Sequence, residues 1–433
     1  MPRLSTLAFA FWAHGLYALS SVAASFGLGY VLPDEAAVWV ETLERVQVEV
    51  LLRSDTRTGA PATRFSEEAR QVDSSGRHRA VLTLGALRSG SHYRYEVRLN
   101  GEAAGLEGHF RTPPAPGETF SGSFQILLAG RVEAVQGTLT ENLDATKALV
   151  ASGGDAMIWL GGQHAAGEAS PTAAGLMQHF RSLAADPALA SFLASTGQWS
   201  VWGASDLPRS AQGALGLHGA AAREAFCGAW PRPACGHPGF GGMVNQVRLG
   251  PAEFFFIDVV SFRESGGGGR RARLLGDAQM DWLLEALDSS DAPFRFVVAG
   301  LPLLPGTRGA ENWRAVETER TEFLNRLLLR DPPGVFVLSG NAPFGELSRV
   351  DRTARYPLHE LTLGPLRQAD PVRQPPLNMD RQPGTFVAPA HFAKLTLGSA
   401  RNDWSLTVEV FGGSGQLLWR DHFLASELVR PPQ

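Results

Sequence analysis

Lysine is nearly absent from this chain of 433 residues: Lys147 and Lys394 are the only two, so almost every positive charge is an arginine. A formal charge of −4 leaves no basic excess for neutralising phosphate backbones, which argues against nucleic-acid binding. Scattered guanidinium groups imply no particular ligand. Cysteine is as scarce, and Cys227 and Cys235 alone cannot assemble a cysteine-ligated zinc or iron–sulfur centre within the chain. Their spacing permits a loop disulfide, with two free thiols as the alternative. Beyond the N-terminus no apolar run approaches the length of a membrane span. What is present, 44% hydrophobic and 19% charged residues, excludes disorder and allows two or three domains with real cores.

The first two dozen residues have the pattern of a secretory signal peptide. Arg3 supplies the positive start, Leu4 to Leu19 is mostly apolar and interrupted by His14, and Val22 and Ala24 satisfy the small-residue rule for cleavage before Ser25. The expectation is a leader over 1–24 and an exported chain, periplasmic or extracellular, with no integral membrane segment after cleavage. An oxidising compartment favours the bridge between Cys227 and Cys235, and Gly228, Pro231 and Pro233 suit a loop that turns back on itself.

From 25 to 113 the pattern is β: LGYVL, AAVWVET, VQVEVLL, RAVLTL, HYRYEVRL and GHFRT, separated by Asp, Gly, Ser and Pro turns. Six or seven short strands at this spacing predict an immunoglobulin- or fibronectin-III-like β-sandwich, with Tyr93 or Tyr95 as a corner tyrosine. Pro113 to Pro116 makes a stiff linker. Over 117–433 apolar strands alternate with amphipathic helices: FQILLA, AMIWL, WSVW, FFFID, FRFVVAG and VFVLSG are runs of the kind buried on both faces. The C-terminal FAKLTLG, DWSLTVEVFG and GQLLWRDHF alternate with period two around a Gly-rich hairpin. Chemistry in an α/β domain gathers where strands end, here at AGRV, LGGQH, WGASD, IDVVSFR, AGLPLL and LSGNAPFGEL.

That ordered set resembles the metallophosphoesterases related to alkaline phosphatase D. The resemblance extends through ALASFLASTGQWSVW (188–202), LLGDAQMDWLLEALDSSDAPFRFVV (274–298), GELSRVDRTARYPLHELTLGPL (345–366) and the C-terminal hairpin. It implies an αββα sandwich behind the N-terminal β-sandwich, with metal ions at the strand ends activating water against phosphate esters. The positions that would carry the ligands have changed. Ala129 and Gly130 stand where the family has Ser-Cys, and Gly161 and Gly162 replace its Gly-Asp. Its WDDHD or WDDHE is written Trp202, Gly203, Ala204, Ser205, Asp206, and its SGDxH is Ser339, Gly340, Asn341, Ala342, Pro343.

Ala and Gly offer no donor atom, and an oxygen-rich multi-ion site needs several ligands at once. His164, Asp206, Asp258 and Asn341 are the residual candidates. Each has a plain structural alternative: Asp206 as a helix cap, Asp258 as the partner of Arg263, Asn341 as a turn residue. His359, His218 and His237 read as structural or loop histidines. No catalytic residue and no bound metal is therefore expected; Pro343 and Phe344 suggest a partly filled cavity, while the many Gly and Ala residues equally allow an open, neutral pocket. The leading expectation is a pseudoenzyme acting as a binding or structural module, with an unidentified protein or small molecule as partner. The alternative is an active metal-dependent phosphatase or phosphodiesterase with atypical ligands.

Overall fold

The computed structural model describes residues 24–55, 61–72, 75–118, 122–132, 143–162, 177–178, 180–181, 184–203, 206, 217–264, 272–305, 312–366, 374–400 and 402–430. His164, Ala204, Ser205 and residues 1–23 of the expected leader lie outside them. Ala24, its last residue, opens the first strand.

The N-terminal part contains β1 (Ala24–Val31), β2 (Ala36–Thr42), β3 (Gln47–Ser54), β4 (Thr63–Glu68), β5 (Arg70–Gln71), β6 (His78–Leu84), β7 (His92–Leu99) and β8 (Glu102–Arg111). They form two antiparallel sheets, ordered β1-β2-β6-β5 and β4-β3-β7-β8. Alternation explains their facing: Val48, Val50 and Leu52 of β3 point inward with Val38, Val40, Ala80 and Leu82, closing one core between the sheets. The polar strand β4, TRFSEE, escaped the apolar pattern because only one of its faces meets protein. Of the two tyrosines considered for the corner, Tyr93 fills it, its hydroxyl accepting a hydrogen bond from the Arg88 amide at 2.8 Å. Tyr95 serves another purpose, donating to the Ala194 carbonyl of the following domain at 2.8 Å.

That domain runs β9 (Phe124–Ala129), α1 (Leu143–Ser152), β10 (Ala156–Leu160), α2 (Pro187–Leu193), β11 (Gly197–Val201), α3 (Leu217–Ala229), β12 (Asn245–Leu249), β13 (Ala252–Phe256), α4 (Asp277–Ser289), β14 (Phe294–Ala299), α5 (Glu317–Arg330), β15 (Val335–Ser339), β16 (Glu346–Val350), β17 (Leu358–Thr362), β18 (His391–Ala400), β19 (Asp403–Gly412) and β20 (Leu417–Leu424). Two six-stranded sheets result, β11-β10-β9-β18-β19-β20 and β12-β13-β14-β15-β17-β16. Strands β9 to β11 are parallel, as are β13, β14, β15 and β17, while the flanking strands run antiparallel.

Between the sheets lies an apolar layer that includes Ile126, Leu128, Ile158 and Leu160 from the first and Phe254, Phe296, Phe336 and Leu361 from the second. Outside them pack the helices: Ala145 and Leu149 of α1 and Leu189 of α2 with Leu127 and Met157, and Leu283, Leu287, Phe323 and Leu327 of α4 and α5 with Val297 and Val337. The order is helix, sheet, sheet, helix, because strands buried on both faces need a cover on each side.

The N-terminal sheets are bolted to this domain. Trp39 meets Phe180 edge-on at 5.5 Å, Phe180 meets Trp230 at 5.3 Å, and Trp230 lies 6.0 Å from Trp159 in the central sheet. The Arg79 guanidinium sits 4.5 Å over Trp39, and the buried Glu41 receives the Arg181 Nε at 2.7 Å. Backbone contact is as close: a Cβ on Gly108 would fall 2.2 Å from the Ala194 carbonyl oxygen. Gly108→Ala should therefore lower stability by about 2 kcal/mol through overpacking at this junction. Chemical denaturation checks this, and Gly105→Ala is the contrast: a Cβ there meets nothing, so any cost comes from its positive φ of 68° alone.

Candidate functional site

The C-terminal ends of the parallel strands meet across the sandwich, and they meet main chain to main chain. After β9, a Cβ on Gly130 would fall 2.2 Å from the Gly364 carbonyl oxygen; after β15, one on Gly340 would fall 2.0 Å from that of Leu160; after β14, one on Gly300 would fall 2.2 Å from that of Trp202. Each contact joins a strand end of one sheet to a strand end of the other. No side chain fits at these three positions unless the sheets move apart. A hydrogen bond from the Leu366 amide to the Arg131 carbonyl at 2.9 Å ties the loops after β17 and β9 across the sheets, and one from the Val132 amide to the Gly162 carbonyl at 3.2 Å ties the loops after β9 and β10 within one sheet.

Gly161 and Gly162 follow β10 with φ of 89° and 80°, in the left-handed region that glycine occupies without strain. A Cβ on Gly162 would lie 2.6 Å from Cγ of Arg131, whose stem covers it. Gly203, after β11, lies under the Gly300 carbonyl, 3.2 Å from where its Cβ would be.

Asp206 is buried, and its Oδ2 accepts from the amides of Gly162 at 2.7 Å and Gly203 at 2.8 Å. It is a clamp between the ends of β10 and β11. Asp258 is buried after β13: Oδ2 accepts from the Met243 amide at 2.7 Å, and Oδ1 from those of Val260 and Ser261, both at 2.9 Å. Its carboxylate is thus held by main-chain donors rather than by Arg263. Gln279 completes the arrangement, accepting from the Asp258 amide at 2.7 Å and donating to its carbonyl at 2.8 Å. Asn341, two residues beyond β15, has φ of 59°, in the left-handed region. Phe344 is buried and meets Phe386 at 5.5 Å, filling space beside Pro343.

Sequence reasoning passed over two buried groups next to these ends. Glu360 on β17 accepts from Ser339 Oγ at 2.5 Å and from the amides of Leu303 at 3.0 Å and Leu304 at 2.5 Å. Burial pushes its carboxyl up while those donors pull it down. Its signal was a lone acid inside an apolar strand. His391 opens β18 fully buried, its Nδ1 2.6 Å from the Pro389 carbonyl and its Nε2 accepting from the Gly364 amide at 2.9 Å. That pair of partners fixes a neutral ring with the proton on Nδ1. His359, expected to be structural, packs between Phe336 at 5.7 Å and Phe423 at 4.9 Å.

Chemically, these carboxylates are immobile acceptors satisfied by the chain itself. Among the described residues no three of His, Cys, Asp and Glu converge as a metal-holding group. The donors in view do not fit a multi-ion centre: Ala129, Gly130, Gly162 and Gly203 lack ligand atoms, and Asp206 and Asp258 each hold two or more amides. The chain also joins Cys227 at the end of α3 to Cys235 by a disulfide, with Cα atoms 5.8 Å apart. No helix among the described residues is long and apolar enough to cross a membrane.

The mixed α/β sandwich with these strand ends is a metallophosphoesterase-like fold. Among solved structures the chain is similar to that of PhoD, with a TM-score of 0.72 at 16% identity over 92% of this chain and 91% of the other. It is also similar to the purple acid phosphatase PPD1 from seeds of yellow lupin, Lupinus luteus, with a TM-score of 0.63 at 14% identity over 93% and 74% of the two chains. At these identities the likeness is one of fold. Residues 27–116 match a family model described as a domain of unknown function, DUF7800. No curated protein matches the chain.

The two buried histidines set a pH dependence. Burial lowers both His359 and His391 from 6.5 to about 4, because the folded interior disfavours the charged ring. Their contribution to stability is complete above pH 6.5 and is lost as pH falls toward 4, where the unfolded chain already binds the protons. Each shift is worth about 3 kcal/mol. His359→Phe, which keeps a ring between Phe336 and Phe423, should reduce the loss of stability between pH 7 and pH 4 by about that amount. Urea titrations across this range measure it; an unchanged slope would count against the assignment.

Proposed function

We propose that this protein is an exported member of the alkaline phosphatase D-like group that works without a metal centre, as a binding or structural module. In this reading the leader over 1–24 is removed, the N-terminal sheets are an immunoglobulin- or fibronectin-III-like sandwich, and the disulfide between Cys227 and Cys235 belongs to an oxidising compartment. One observation carries the proposal. At the strand ends the chain's own backbone occupies the space in which ligand side chains would stand, and the surviving carboxylates Asp206 and Asp258 are satisfied by backbone amides.

The physical logic is that of coupled loss. Carboxylates gathered for cations repel one another once the cations are gone, so neutral residues relieve the site. Glycine goes further, because it lets the two sheets close on the emptied space.

The test is metal content of the purified mature protein together with turnover of a generic aryl phosphate ester. Background values are expected for both, unchanged by Asp206→Ala or Asp258→Ala, although both variants should be less stable by about 2 kcal/mol from the amides they leave unpaired. Stoichiometric iron, calcium, zinc or manganese with chelator-sensitive turnover would establish the active phosphoesterase instead.

Reversal at one position should restore nothing. Gly162→Asp brings a carboxylate against the Arg131 stem at a φ of 80°, and Gly130→Cys drives a Cβ into the Gly364 carbonyl. Each is expected to lower stability by about 1–3 kcal/mol without adding metal. Thermal melts with elemental analysis read both quantities on one sample.

A further inference from the structure

We propose that a groove along β12 binds an extended, basic peptide segment as an added strand. The inference is independent of the metal-free reading, because the groove lies along the side edge of the second sheet and uses none of the strand-end residues.

Among the described residues strand β12 is an outermost strand of its sheet, paired with β13 alone. An edge strand leaves every second N–H and C=O without a ladder partner, and only another extended chain satisfies that row in register. Beside β12 is a groove of about 770 Å³, lined by Val244 to Arg248, by Leu32 to Asp34, and by Trp282 of α4. Its volume falls in the range of ligand sites, and it lies where the N-terminal sheets meet the larger domain, a usual place for one.

Two features of the walls decide what fits. Pro33, Pro116, Pro233 and Pro238 line the groove. Proline has no N–H, so these walls are apolar and offer the strand edge no donor of their own at four positions. The disulfide from Cys227 to Cys235 anchors the loop that carries Pro233 and Pro238. Trp282 and His237, whose rings lie 5.9 Å apart, supply an aromatic surface for an aliphatic or cationic side chain.

Charge then selects the sign. Among the described residues the lining holds one carboxylate, the exposed Asp34, and one guanidinium, Arg248. Arg248 is engaged, its Nε donating to the Gly250 carbonyl at 2.7 Å and its Nη1 lying 3.0 Å from Asp291 and 3.7 Å from Glu253. Glu253 also accepts from Nε2 of the Gln246 side chain at 2.8 Å. Asp34 is what the groove presents to an incoming charge, and its complement is a lysine or arginine.

The test uses the full mature chain and fluorescein-labelled hexapeptides that alternate valine with lysine. Fluorescence anisotropy at low salt should show saturable binding. A matched peptide with glutamate for lysine should bind at least tenfold more weakly, Asp34→Asn should weaken the lysine peptide about tenfold, and N-methylation of alternate peptide amides should abolish binding while keeping every side chain. Equal binding of the acidic or the N-methylated peptide, or no saturation below millimolar concentration, would overturn the proposal. Self-association seen by light scattering and reversed by the lysine peptide would assign the groove to a second copy, overturning it as well.

Discussion

The two sheets of the larger domain touch through bare backbone at the ends of their parallel strands. Gly130 against Gly364, Gly340 against Leu160 and Gly300 against Trp202 form three rivets, each linking a strand end of one sheet to a strand end of the other. Interiors packed at crystal density do not tolerate a methyl group where a carbonyl oxygen already sits. These contacts fix the spacing between the sheets, and the spacing fixes what the strand ends can hold. At these three positions the strand ends are closed by main chain.

Closure has an electrostatic side. Asp206 and Asp258 are buried, a costly state for a carboxylate unless donors surround it. Backbone amides from Gly162, Gly203, Met243, Val260 and Ser261 provide them. Glu360 follows the same rule with Ser339, Leu303 and Leu304, and His391 reaches it from the other sign by staying neutral between Pro389 and Gly364. These polar groups are part of the scaffold at the strand ends.

Rigidity also spreads outward. The ladder of rings from Trp39 through Phe180 and Trp230 to Trp159, with Glu41 beneath Arg79 and Arg181, makes the N-terminal sheets an extension of the same core. Tyr95 and Gly108 bring the two backbones to hydrogen-bond range of Ala194. The groove beside β12 is a product of that union, since one wall comes from each part.

The sequence alone determined most of the strands and the scarcity of donor atoms at their ends. Runs such as FQILLA and VFVLSG are apolar enough to be read without a partner, and Ala129, Gly130, Gly162 and Gly203 carry no donor atom in any conformation. Strand β4 was invisible because its residues are polar and it gains its place only by pairing with β3. The tertiary structure decided the rest. Asp206 finds an amide at Gly162, 44 residues back, and Asp258 finds one at Met243, partners that no local pattern in the sequence reveals. Glycine at a strand end is ambiguous in sequence: it can leave an open pocket or allow two backbones to meet. Which of these occurs depends on the distance between two sheets, and that distance is set by side chains far apart in the chain that pack only once the fold is complete.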